Sequence, residues 1–186
     1  MKNLAILGVG NILEKDDGIA IYATKYLESN YSFSPEIDII NGGVEGINLL
    51  NLFMEYKHII ILDAIEIEDK AGSIYHIPSN ELTGYGLNSG GAHEIGVIQC
   101  FDILELMGKD IPKSSVLGIV PDIIDVEIAL SDLIKKRFPL YIQSLLNILK
   151  EEFTINIKKN YEEIPLETIV EEFKNPKSSS VGSFES

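Results

Sequence analysis

Strand-like and helix-like segments alternate along this chain, which predicts an α/β fold: a three-layer α/β/α sandwich on a mostly parallel sheet. Two observations carry the prediction. Short aliphatic runs, each stopped by Gly, Asn, Asp or Pro, are separated by segments with helical spacing. The run His58–Leu62 has four consecutive aliphatics before Asp63, the pattern of a central strand covered on both faces.

In order, Asn3–Val9 reads as a buried strand ending in Gly8-Val9-Gly10-Asn11. Ile19, Tyr22, Ala23, Tyr26 and Leu27 then mark a helix over 17–29. Asp16 and Asp17 sit just before that face, where carboxylates suit orphan N–H groups. Glu36–Ile40 is a second strand closed by Asn41-Gly42-Gly43, and residues 46–55 return to helical spacing. After the third strand, Ser73–Ile77 is a fourth. Thr83–Ala92, rich in Gly, Ser and Asn, reads as a loop. His93–Met107 is helical, with Val97, Phe101, Leu104 and Met107 on one stripe, and Ser114–Val120 is a fifth strand ended by Pro121. Ser131 suits the N-cap of a long helix buried through Ile134, Phe138, Tyr141, Ile142, Leu145, Ile148 and Leu149, which Pro139 should kink or split. Beyond Glu152 the chain is charged and weakly periodic. It divides into a domain over 1–152 and an extension over 153–186, whose residues 177–186 read as a flexible tail.

Charge narrows the function. Lys plus Arg is 15 against 29 Asp plus Glu, a net −14, which argues against nucleic acid and against anionic membrane surfaces. The single cysteine, Cys100, excludes an internal disulfide and a cysteine-built zinc site. With no spanning run of apolar residues, a soluble cytoplasmic protein is expected.

Ligands of such sheets gather at the carboxyl ends of the strands, which selects the loops after the first three strands. Gly8-Val9-Gly10 hints at a dinucleotide site, but the third glycine of that fingerprint would fall on Leu13, and acids follow. Asp17, Asp63 and His93 sit at predicted loop mouths and form an oxygen, oxygen, nitrogen set suited to a borderline divalent ion such as nickel or zinc. Each also has a plain structural reading: Asp17 as a helix cap, Asp63 as a turn former, His93 as a residue that happens to open a helix. His58 and His76 read as surface or core filler, and Cys100 as a buried hydrophobe.

Taken together, Ile6-Leu7-Gly8-Val9-Gly10-Asn11-Ile12-Leu13 followed by Asp16-Asp17-Gly18, then Gly42-Gly43, Leu62-Asp63-Ala64, Ala92-His93-Glu94-Ile95-Gly96 and Gly118-Ile119-Val120-Pro121, resemble the hydrogenase maturation endopeptidases over residues 1 to about 150. Those proteases remove a C-terminal peptide from the large subunit of nickel-iron hydrogenases. The resemblance implies a phosphorylase/hydrolase-like, five-stranded mixed sheet with one antiparallel strand. It implies metal contacts at Asp17, Asp63 and His93, with Asp17 and Asp63 as the catalytic acids. Nickel would come with the substrate rather than being permanently bound. The partner would be the large-subunit precursor and the protease a monomer. Asn41 departs from the family, whose members often carry Asp before the Gly-Gly pair. A nucleotide-binding or regulatory module without protease activity, or another hydrolase or phosphorylase on a similar sheet, are the competing readings.

Overall fold

The computed structural model of the chain describes residues 2–44, 49–78, 81 and 92–176, the side chains of 92–98 excepted. Five strands form the main sheet: β1 (Lys2–Val9), β3 (Asp38–Gly43), β4 (Tyr56–Ala64), β5 (Ile74–Pro78) and β6 (Lys113–Ile119), in the order β3-β1-β4-β6-β5. All neighbours are parallel except β5, which runs antiparallel to β6. A second, two-stranded sheet pairs β2 (Tyr31–Ser34) with β7 (Asn156–Lys159).

Side-chain alternation makes the three layers. Leu4, Ile6, Ile60, Leu62, Leu117 and Ile119 face one way and pack on α1 (Ile19–Asn30), α4 (Asp132–Glu151) and α5 (Leu166–Lys174). Ala5, Leu7, Val9, Ile59, Ile61 and Val116 face the other way, towards Phe53 of α2 (Leu50–Phe53) and Cys100 and Leu104 of α3 (Ala92–Leu106). Central strands buried on both faces must be apolar at every position, which is why β1 and β4 read as unbroken aliphatic runs. No described helix is long and apolar enough to cross a membrane.

The strand order places the site. From β1 the chain turns to one side to make β3, then returns past β1 to make β4 on the other side. The loops leaving β1 and β4 therefore diverge and open a crevice between the carboxyl ends of these two strands.

Several expectations need correction. The second strand lies at Asp38–Gly43, so Asn41-Gly42-Gly43 ends the strand rather than closing it. Gly42 bulges where the pairing register slips between Gly8 and Val9. In the segment predicted helical over 46–55, the described helix is only Leu50–Phe53, and 45–48 lie outside the described residues. Among the described side chains of α3, Cys100 and Leu104 are buried and Phe101 packs partly buried against them, whereas Met107 falls after the helix and is exposed, and the side chain of Val97 lies outside the described residues. The helix stops there because Lys109 N–H donates to the Leu104 carbonyl around Gly108 in the left-handed region (φ +63°). Pro139 does not split α4, which runs unbroken over 20 residues from its Ser131 cap. Pro139 lies on the exposed face, where its missing donor costs least.

The charged segment after Glu152 carries more structure than its weak periodicity suggests. Most of its residues are exposed, but Leu166, Ile169 and Val170 fall on one face of α5 and close the core over α1. Buried Asn30 holds the entry to α5. Its amide donates to the Tyr26 and Ile164 carbonyls, and its oxygen accepts the Ile164 N–H at 2.7 Å. Residues 177–186, expected to be a flexible tail, and most of the loop expected at Thr83–Ala92 lie outside the described residues.

Ile169 is fully buried in this late element. Ile169→Ala is expected to destabilise the protein by about 2–4 kcal/mol in urea unfolding. A loss below about 0.5 kcal/mol would show that α5 lies on the core without being part of it.

Candidate functional site

The carboxyl edge starts with the glycines that end β1. A side chain on Gly8 would meet Thr24 Cγ2 at 2.7 Å and the Ala20 carbonyl at 2.8 Å, so α1 lies on β1 with room only for hydrogen. Gly10 has φ +147°, and a Cβ there would sit 2.1 Å from the Asp17 carbonyl oxygen. The Gly-x-Gly pair thus folds the loop 11–18 back onto the strand end. Its role is close packing, not a phosphate cradle.

That fold-back separates the two adjacent acids. Asp16 is fully buried. Its Oδ2 accepts the N–H groups of Asp122 and Ile123 at 3.1 and 2.8 Å, and its Oδ1 accepts the Ser131 N–H at 2.7 Å. Asp17 is half-buried, and its Oδ2 accepts the Asn11 N–H at 2.7 Å across the loop. Neither caps α1, whose N-cap is Gly18 and receives no side-chain bond, so the capping expectation for this pair is not met. The two acids lie in a short 3-10 helix, Lys15–Gly18, ahead of α1.

Asp63 is in the last turn of β4, 2% exposed, opposite Gly118 of β6. Period-two alternation aligns it with Ile61 and Ile65, on the sheet face covered by α3. Beside it, burial first and the charge of Asp63 second push the Tyr141 phenol well above its ordinary range. Tyr141 therefore stays a neutral donor, bonded to the Leu117 carbonyl at 2.7 Å.

His93 lies on the first turn of α3, and its side chain is outside the described residues. The backbone still locates it. The 15-residue helix is about 22 Å long, and its far end joins through 107–112 to Lys113 at the amino end of β6. The first turn is therefore directed to the carboxyl edge. Position 93 is two helical turns before Cys100. Among the described residues, which do not include the side chain of His93, no group of three His, Cys, Asp or Glu could hold a metal ion.

Asn41 completes the edge. Its Oδ1 accepts the Gly43 N–H at 3.1 Å, and the Gly43 carbonyl accepts the Gly10 N–H at 2.9 Å. Any Asx acceptor can make this turn, so the bond made by Asn41 does not require a carboxylate.

Two parts of the edge were not legible from sequence. Lys15 has φ +49° and is fastened to Glu127 twice: its N–H donates to the Glu127 carbonyl at 2.9 Å, and its ammonium pairs with the carboxylate at 2.9 Å. Through these bonds and those of Asp16, the loop 121–131 becomes one wall of the edge. The sequence signal was faint: apolar and acidic residues mixed just after Pro121. Acids dominate the loops after β1 and β6; the Lys15 ammonium there is paired to Glu127, and the Arg137 guanidinium is bonded to the Gly72 carbonyl at 2.9 Å. Such an edge suits a cation or a peptide far better than a phosphate.

Asp16→Ala would strip the acceptor from three backbone donors, of which the Ser131 N–H is buried. It is expected to cost about 2–4 kcal/mol in chemical denaturation. Hydrogen exchange should accelerate at Asp122, Ile123 and Ser131. Unchanged exchange at these amides would remove Asp16 from its anchoring role.

Comparison with known proteins agrees with this architecture. The family model described as "HycI: Hydrogenase maturation protease" matches residues 21–148. The hydrogenase 2 maturation protease of Escherichia coli (strain K12) is 27% identical over 149 residues, covering 80% of this chain and 91% of that protein. The structure of the hydrogenase maturating endopeptidase HybD from E. coli superposes with a TM-score of 0.77 at 25% identity, over 86% of this chain and 98% of that one. The [NiFe] hydrogenase maturation protease HybD from Thermococcus kodakarensis gives 0.63 at 26% identity, over 80% and 99%.

Proposed function

From the premise that this chain belongs to the hydrogenase maturation protease family, we propose that it removes the C-terminal peptide of a nickel-iron hydrogenase large-subunit precursor once nickel has been inserted. What supports the reading is that the short helix bearing Asp17 packs against β4, whose carboxyl end bears Asp63, and that α3 begins at position 92 with His93 on its first turn. In this reading it works in the cytoplasm as a monomer.

The three residues engage nickel that the precursor brings. Two carboxylates and an imidazole are a donor set for a borderline divalent ion. They come from three separate segments at a solvent-open edge, so they leave room for ligands from the substrate. Without a protein thiolate, such a set holds free nickel weakly. Nickel held by the precursor supplies a fixed point and Lewis acidity beside the scissile segment. The chain's own residues do the positioning. The Asn11 N–H fixes the rotation of Asp17, and the sheet fixes Asp63. A carboxylate oxygen at this edge takes the proton from the attacking water, the C–N bond breaks, and the departing amine is protonated. The peptidase is thus of aspartic type and depends on substrate nickel. The acidic lining of the edge argues against the nucleotide-binding alternative.

The test is incubation with purified precursor, read by intact mass. Wild type is expected to purify largely free of nickel, to shorten nickel-loaded precursor and to spare the nickel-free form. Asp17→Asn, Asp63→Asn and His93→Ala should each lower kcat/KM by about 100-fold or more, with folding retained. Efficient cleavage of nickel-free precursor would refute nickel recognition. Normal turnover by His93→Ala would refute the assignment of that residue.

A further inference from the structure

The loop 121–131 carries an unusual load for an exposed segment. Ile123, Ile124 and Val126 are 41%, 47% and 85% exposed, and Leu13 across from them is 53% exposed. They form one surface, because Glu127 N–H donates to the Leu13 carbonyl at 2.9 Å and Asp16 N–H to the Ile123 carbonyl at 3.3 Å. Asp17, the proposed nickel contact, is a few residues along the same loop.

A mobile loop would bury these side chains by collapsing onto the domain. This loop is held off by Asp16, by the double link from Lys15 to Glu127, and by the bridge between Glu14 and Glu127. An apolar cluster kept exposed by a preformed scaffold marks a contact surface, whose ordering cost is met before the partner arrives. Its surroundings specify the partner's charge. Asp122, Asp125, Glu127 and Asp132 stand in or beside the loop and no Lys or Arg lies between Pro121 and Asp132; Lys15 pairs with Glu127 and Lys135 with Asp132, so the acids outnumber the facing cations four to two.

We propose that Leu13, Ile123, Ile124 and Val126 form the platform on which the precursor docks, through a folded surface with apolar side chains ringed by Lys and Arg. This rests on the function proposed above. The platform would hold the body of the precursor while the adjoining crevice receives the segment to be cut. It contributes to affinity and not to bond breaking.

The experiment measures binding and cleavage of nickel-loaded precursor by wild type, Val126→Lys, Ile124→Asn and Leu13→Ser. All three sites are too exposed to matter for folding, which circular dichroism would verify. The expected result is a KM and a Kd raised at least 10-fold in each variant, largest for Val126→Lys because a cation then faces the cationic ring. The kcat at saturating precursor should stay within twofold. Raising salt should weaken wild-type binding and narrow the gap to Val126→Lys. Variants that match wild type in KM and Kd would overturn the platform while leaving the protease reading intact. A wild type that neither binds nor cleaves the precursor would overturn both.

Discussion

One buried carboxylate organises the carboxyl edge. Asp16 is fully enclosed, and its oxygens accept three backbone N–H groups from a loop more than 100 residues away in sequence. A buried charge is costly unless its lone pairs are filled. Backbone donors fill them without adding an opposite charge, so the edge remains acidic. The bond set ties the loop after β1 to the loop after β6. The position of Asp17, the unusual backbone of Lys15 and the outward display of Ile123 and Val126 all follow from it.

Adjacent acids therefore do different work. Asp16 points into the protein and joins two loops. Asp17 lies half-exposed with one oxygen held by Asn11. Their neighbourhood depends on glycines that let backbone approach backbone. A Cβ at Gly10 would occupy the place of the Asp17 carbonyl, so substitution there would displace the proposed nickel contact along with the loop. Asp63 comes to the same edge by a different route, as a buried polar position directly after the four consecutive aliphatics Ile59 to Leu62 of β4. The proposed chemistry draws on both: a carboxylate on a braced loop and a carboxylate on a rigid strand.

The sheet was legible because β1 and β4 are buried on both faces, and that demand writes itself as continuous aliphatic runs. The buried stripe of α4 was legible for the same reason, from Ile134 to Leu149. Less was visible where a residue's partner is remote. Asp16 reads as a cap from local sequence, because the donors it meets lie beyond Pro121. β2 and β7 pair across more than a hundred residues through short polar strands, so neither shows alone. α5 hid behind its charges, since three buried residues in nine are enough to seat a helix whose other side faces water. At the site, Asp17, Asp63 and His93 were picked out by their places at loop mouths and by a family resemblance. The structure puts Asp17, Asp63 and the backbone of position 93 at the same edge. The docking platform was not legible, because exposure of Ile or Val cannot be read from a sequence.

The central claim is that one cation-binding site exists at this edge, built from Asp17, Asp63 and His93. Titrating the isotopically labelled protein with Zn2+, a diamagnetic stand-in for nickel, and following backbone amide and imidazole resonances tests it directly. The expected result is weak, saturable binding with shifts concentrated at Asn11, Asp17, Asp63, Ala64 and the His93 ring, and little change at His58 or His76. Shifts centred on His58 and His76, or a His93 ring that does not respond while Asp17 and Asp63 do, would contradict the account.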